Sequence, residues 1–231
     1  MIWRILPSYV VSVDAFEDAV DGVLFPDEAA VVEHAVEKRR REFTTGRVCA
    51  RKALQRLGRP AAPLLPGPHG EPQWPSGTVG SITHCHGYRG VAVGETARAA
   101  SIGIDAEPNE PLPDTLLDSI SLPRERADVA KLERNYPGVR WDRLLFCAKE
   151  ATYKTWYTFT GAWLGFDAAE IHLEPREWTG TFTARFLGDA PEFDGVAIRE
   201  FSGRWMLGRE LLLTAIVVPA TVPAPSASLS V

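Results

Sequence analysis

"TVGSITHCHGYRGVAVGETARAASIGIDAE", residues 78–107, sets short β-prone runs between glycines. That pattern reads as antiparallel strands joined by tight turns. Upstream, "FPDEAAVVEHAVEKRRREFTTGRVCARKALQRLG" (25–58) repeats apolar residues at helical spacing. Pro26, Asp27 and Glu28 suit a helix start, and Gly58 followed by Pro60 suits an end. The spacing predicts one helix or two, the break falling near Thr44 to Gly46. Residues 60–77, rich in Pro and Gly, read as an extended loop. Downstream, residues 108–124 hold four prolines and room for one short helix. A longer helix is predicted from about Trp141 to Tyr157, burying Leu144, Leu145, Ala148, Thr152 and Trp156. From Ile171 the pattern is strand and turn: "IHLEP", "TFTARFLG", "GVAIREFSG", "RWMLGRELLLTAIVV".

This order, strand, helix, strands, helix, strands, implies an α+β fold. We expect two similar α+β halves in one chain, a pseudo-dimer in which each half is a small antiparallel sheet packed with helices. The halves are 1–100 and 101–219, although no sequence repeat relates them. Residues 220–231, small, polar and Pro-rich, are expected to be a disordered tail.

The 231 residues are 45% hydrophobic and 24% charged, with a formal net charge of −5. An acidic chain does not favour non-specific binding to nucleic acid or membranes. The charge is unevenly spread. Lys38, Arg39, Arg40, Arg41, Arg47, Arg51, Lys52, Arg56 and Arg59 crowd one segment, opposed there only by Glu42. Such a patch suggests a discrete anionic ligand, or else a solvated helix. Cys49, Cys85 and Cys147 form no CxxC pair, which points to a reducing compartment. The opening "MIWRILPSYVV" lacks signal-peptide features, and "LLLTAIVV" falls short of the about 20 residues a membrane span needs. The expected location is cytoplasmic.

"SIGIDAEP" (101–108) carries the first chemical signal. On a strand, Asp105 and Glu107 share a face about 6.5 Å apart. Two such carboxylates repel unless both face water or a cation or proton intervenes, and hard oxygens suit Mg²⁺. A calcium loop beginning at Asp105 fails, because its glycine position is Glu110 and its final acid position is Leu116. The second signal is "FCAKEATYKTW" (146–156). Glu150 and Lys154 are four apart on one helix face, with Lys149 about a third of a turn around. The face is either solvated or, if the helix packs beside Asp105, a source of a third acid and of cations for phosphate. The latter combination reads as a phosphoryl-transfer site, which needs positioning and charge stabilisation more than covalent chemistry. His84 and His86 would share a strand face, yet no further Cys or His stands at zinc-ligand spacing.

"GIDAE" followed at this distance by "FCAKEATYK" resembles the bipartite signature of the 4′-phosphopantetheinyl transferases, a G-[IV]-D-x-E strand and a W-x-x-K-E-x-x-x-K helix. "GEPQWP" (70–75) and "SITHCHG" (81–87) extend the likeness, and the chain length is similar to the broad-range subgroup typified by the surfactin-synthetase activator. The resemblance implies transfer of the phosphopantetheine arm of coenzyme A to a carrier-protein serine, releasing adenosine 3′,5′-bisphosphate. It implies Asp105, Glu107 and Glu150 as ligands of Mg²⁺, with Mn²⁺ an alternative. Glu150 would also be the base, directly or through a metal-bound water. Lys154 would neutralise the pyrophosphate, and Lys149 would do the same or hold the helix in place. Arg39, Arg40 and Arg47 match positions on the 3′-phosphate and adenine side, and Thr83 and His84 match a phosphate-contacting pair. Phe146 stands where the family has Trp, and His69 and Pro66 stand where some relatives carry lysine. An acyl or peptidyl carrier would dock on an apolar surface, for which Trp163 and Phe166 are candidates unless these aromatics belong to the core, with the enzyme a monomer. The competing readings are a Mg-dependent phosphodiesterase or nuclease and a non-catalytic coenzyme A-binding module.

Overall fold

The computed structural model describes residues 1–113, 115–188, 190–193 and 195–220; residues 221–231 of the expected tail lie outside the described residues. A 3₁₀ turn (Ile2–Ile5) precedes β1 (Val11–Ala15), α1 (Pro26–Val31) and α2 (Glu37–Arg56). The strands β2 (Thr78–Cys85), β3 (Tyr88–Glu95) and β4 (Ala99–Pro108) follow. Next come α3 (Leu116–Ile120), α4 (Pro123–Asn135) and α5 (Trp141–Thr160). The chain continues with β5 (Ala169–Arg176), β6 (Thr179–Phe186), β7 (Glu192–Phe193), β8 (Val196–Ala197), β9 (Glu200–Gly208) and β10 (Leu211–Pro219).

Two antiparallel sheets dominate, ordered β1-β3-β2 and β4-β10-β9-β6-β5. The α+β, two-sheet architecture is therefore the one expected. α2 buries Cys49, Ala50, Ala53 and Leu54 against Val13, Val91 and Val93 of the first sheet. α5 buries Leu144, Leu145, Ala148 and Ala151 on the second sheet beside Ile171, Phe182 and Trp205. A third apolar cluster joins the two sheets, with Val79, Tyr88 and Ala92 meeting Ile102, Ile104, Leu213 and Ala215. Ile2, Ile5, Leu6 and Val10 belong to it as well. Burial of this kind contributes about 25 cal/mol per Å² of apolar surface, so the junction is as much a core as either half.

The predicted break near Thr44 to Gly46 is corrected. The chain leaves the helix at 32–36, and α2 runs unbroken through Gly46. Thr45 is helical, its hydroxyl donating to the Arg41 carbonyl at 2.9 Å and accepting the Ala19 amide at 2.9 Å. A mid-helix glycine costs about 1 kcal/mol, which the buried α2 face offsets.

Candidate active site

Gly103 sets the site. A Cβ there would lie 2.1 Å from Thr155 Oγ1 and 2.2 Å from the Ala151 carbonyl, so α5 rests directly on β4. Ser101 Oγ donates to the Thr155 carbonyl at 2.8 Å on the same face. Asp105 and Glu107, at i+2 and i+4 from Gly103, continue that face towards the side chains of α5. At its far end α5 stops where Gly161 adopts φ 67°, a conformation that glycine takes freely.

β2 lies alongside β4 without a shared ladder, and hydroxyls stitch the gap. The Ile104 amide donates to Ser81 Oγ at 3.2 Å and the Ala106 amide to Thr83 Oγ1 at 3.1 Å. Thr83 in turn donates to Asp105 Oδ1 at 3.0 Å. Lys154 Nζ reaches the same oxygen at 2.7 Å and the Ile104 carbonyl at 3.2 Å. Burial alone would lower the Lys154 ammonium, but the charges of Asp105 and Glu150 more than offset it and hold the group protonated. Asp105 Oδ2 is buried with no hydrogen-bond partner, a costly state for a carboxylate oxygen.

Glu107 Oε2 pairs with Arg143 Nη1 at 3.0 Å. Burial first and the Asp105 charge second push the Glu107 carboxyl up to about 7, against the opposing pull of Arg143 and Lys154. Burial and then Asp105 also raise Glu150, with Lys154 opposing. Glu150 makes no side-chain hydrogen bond or ion pair among the described residues. Among those residues no three His, Cys, Asp or Glu side chains form a ready cage for a metal ion. The donor set nonetheless fits a hard cation: an orphaned buried carboxylate oxygen, a neighbour that burial and repulsion keep near its proton, and a third acid in their field.

The proton on Glu107 has a measurable consequence. Its folded-state value lies above the usual 4.5, so the folded chain binds that proton more tightly than the unfolded chain. The stability it confers is complete below about pH 4.5 and is lost as pH rises through about 7, in total about 3 kcal/mol. Melting temperatures of the wild type and Glu107→Gln, taken without divalent cation from pH 4.5 to 8, should therefore diverge as pH rises. Parallel curves would refute the elevated value.

The structure places the remaining expected residues in two groups. Arg39 Nη1 donates to His84 Nε2 at 3.3 Å, leaving Nδ1 of the ring facing Glu42 Oε2 at 3.8 Å. Burial keeps His84 below the usual histidine value. The exposed Arg40 donates to the Glu33 carbonyl at 3.0 Å. Arg47 is buried, donating Nε to the Leu64 carbonyl at 2.6 Å with its guanidinium over the Phe43 ring. Lys149 is only 3% exposed and belongs to a separate cluster, turned away from Asp105 towards α4. Its Nζ meets Glu125 Oε1 at 2.9 Å and the carbonyls of Phe166 and Ala169 at 2.6 and 2.9 Å, which uses all three of its protons.

A cleft of about 190 Å³ opens between the loop at His69 to Pro72, β2 and α5, with Lys154 in its wall. Tyr153 and Tyr157 line it, and the Tyr153 ring packs at a tilt against Trp163, which is 74% exposed. His69 meets the Tyr157 ring edge-on at 5.5 Å. Phe146 lies 6.2 Å from Phe166, ring centre to ring centre.

A family model of the 4′-phosphopantetheinyl transferase N-terminal domain matches residues 27–94, and one of the 4′-phosphopantetheinyl transferase superfamily matches residues 101–200. The chain belongs to the 4′-phosphopantetheinyl transferase superfamily. Its relatives include the 4′-phosphopantetheinyl transferase Svp of Streptomyces mobaraensis, 55% identical over 223 residues, which cover 95% of this chain and 90% of Svp. PptT of Mycobacterium tuberculosis is 52% identical over 196 residues, 84% of this chain and 85% of its own. Npt of Nocardia iowensis is 45% identical over 222 residues, 94% and 99% respectively.

In this transferase, two residues that the sequence reading passed over anchor these clusters, Arg143 the strand acids and Glu125 the buried Lys149. Arg143 stands in the first turn of α5, where a cation opposes the helix dipole, and that misfit was the available signal that it serves a carboxylate. Glu125, fully buried near the start of α4, accepts the Leu122 amide at 2.7 Å and the Ile171 amide at 2.6 Å besides Lys149. Among the described residues no helix of the transferase is long and apolar enough to cross a membrane.

Proposed function

We propose that this enzyme transfers 4′-phosphopantetheine from coenzyme A to a serine of an apo acyl or peptidyl carrier protein, in the manner of the broad-range subgroup. The observation that carries this reading is the unpartnered, buried Asp105 Oδ2 on the strand that also carries Glu107, with Lys154 of α5 bonded to the other Asp105 oxygen and Glu150 one turn earlier on that helix. In the reaction the serine oxygen bonds to the phosphorus that carries pantetheine, and the bond to adenosine 3′,5′-bisphosphate breaks. Glu150, its proton affinity raised by burial, receives the serine proton. Lys154, held charged by Asp105, neutralises the departing phosphate. Arg39 and His84 take the phosphate and adenine end of coenzyme A, with Arg40 at the rim and Arg47 bracing α2 beneath. Thr83 fixes the Asp105 carboxylate. Lys149 positions α5 and does not touch substrate.

Asp105, Glu107 and Glu150 would hold Mg²⁺, or Mn²⁺ in its place, which when bound supplies charge neutralisation at the coenzyme A pyrophosphate. Residues 1–100 form the coenzyme-recognition half and 101–219 the catalytic half, so a cytoplasmic monomer suffices. The carrier docks beside Trp163 and Phe166. The test is direct: incubate the protein with coenzyme A, Mg²⁺ and several apo carriers, then weigh the carriers. One phosphopantetheine gained per carrier serine is expected, and unchanged masses throughout would sink the reading.

A further inference from the structure

Each strand acid has one oxygen engaged and one left. Asp105 Oδ1 is taken by Lys154 and Thr83, while Oδ2 has no partner. Glu107 Oε2 is taken by Arg143, while Oε1 has no hydrogen bond among the described residues. Arg143 is itself clamped. Its Nε donates to the Glu110 carbonyl at 3.1 Å and its Nη2 to the Pro111 carbonyl at 2.8 Å, so the guanidinium spans the end of β4 and the loop beyond it. Its side chain is 16% exposed, which leaves little room to swing aside.

We propose that Arg143 is a positioning residue that sets cation selectivity: by occupying Glu107 Oε2 it limits that carboxylate to a single free oxygen. The inference rests on the reading of Asp105, Glu107 and Glu150 as the divalent-cation site. Mg²⁺ demands a near-ideal octahedron at about 2.0–2.1 Å and is content with single carboxylate oxygens and waters. Ca²⁺ takes six to eight oxygens at about 2.3–2.6 Å and commonly draws both oxygens of one carboxylate. A glutamate oxygen held in a charge-assisted bond is a weaker donor fixed in orientation, so the carboxylate makes a poor two-oxygen ligand, and Lys154 and Thr83 weaken that grip at Asp105 in the same way. The positive charge of Arg143 weakens binding of both ions alike, whereas the engaged oxygen penalises only the larger one. The ratio of the two affinities therefore isolates the geometric effect.

The test uses the full chain and the metals alone. Bound and free Mn²⁺ are distinguished by electron paramagnetic resonance while Mg²⁺ or Ca²⁺ is titrated in competition. The wild type should prefer Mg²⁺. Arg143→Met should shrink that preference about tenfold by strengthening Ca²⁺ binding more than Mg²⁺ binding, and Arg143→Lys, which keeps a donor for Oε2, should retain most of it. Arg143→Gln, uncharged and too short to reach Oε2, carries the same expectation should Arg143→Met fail to fold by near-ultraviolet circular dichroism. A change below threefold in the ratio, with both affinities moving together, overturns the inference but leaves the cation site standing. A wild type that takes up no Mn²⁺ overturns both.

Discussion

Glu150→Gln is expected to lower turnover by about 10³-fold while raising the melting temperature by roughly 1–3 °C. The two effects share one cause. Glu150 is held in a setting that disfavours its charge, through burial and the proximity of Asp105, with Lys154 giving partial relief. It makes no hydrogen bond or ion pair among the described residues that would compensate. Glutamine keeps the shape, loses the charge and so removes the penalty, as expected where a site trades stability for activity. The same change removes the proton acceptor and a cation ligand, and a lost electrostatic contribution of this kind is worth about 10²–10³ in rate by itself. Asp105→Asn provides the contrast. It should lose turnover to a similar degree but also stability, because Lys154 Nζ, 2.7 Å from Oδ1, would face a neutral amide. Turnover measured at saturating coenzyme A and carrier, together with melting curves, decides the matter. A Glu150→Gln enzyme within tenfold of the wild-type rate, or one that melts markedly earlier, would show that Glu150 has a structural role instead.

The parts of this site that the sequence disclosed are those fixed by local periodicity. Asp105 and Glu107 share a face because strand side chains alternate, and Glu150 and Lys154 share one because helix residues four apart align. Gly103 was legible only as a motif letter; its reason, that any Cβ there would run into Thr155, needs the helix laid on the strand. What stayed hidden depends on contacts distant in sequence. β10 inserts between β4 and β9, opposing Thr214 to Asp105, and no spacing within β4 announces it. Lys149 shows the limit most clearly. It sits next to Glu150 in the chain and shares its charge-rich motif, yet about 100° of helix rotation turns it to Glu125 on α4. A sequence displays a charge but not its partner. The misplaced break in the helix at 26–56 has the same origin, since Thr44 to Gly46 look like a stop until Phe43, Ala50 and Leu54 are seen to be buried.

Lys149→Met should destabilise the enzyme by about 3–5 kcal/mol, lowering its melting temperature by about 10 °C or more. The mutation leaves Glu125, 1% exposed in its side chain, as an uncompensated buried charge. It also deprives the Phe166 and Ala169 carbonyls of their donor, loosening the segment that carries Trp163 from the end of α5 to β5. Burial already lowers the Lys149 ammonium, with Glu125 as the chief force opposing that, so each charge depends on the other. Removing both should cost less than removing one, because a buried ion pair often contributes little net stability once its own desolvation is counted. The double variant Lys149→Met with Glu125→Gln is the decisive one. Its amide oxygen can still accept the Ile171 amide; of the amides that Glu125 holds only that of Leu122 loses its partner, at a cost of about 1 kcal/mol, and the Phe166 and Ala169 carbonyls stay without the Lys149 donor as in the single variant. If Lys149 acts by positioning, the double variant should regain most of the lost stability and turn over within about tenfold of the wild type. If Lys149 instead contacts the coenzyme A phosphates, restored folding would leave turnover as low as in the single variant, with weakened coenzyme A binding in calorimetry.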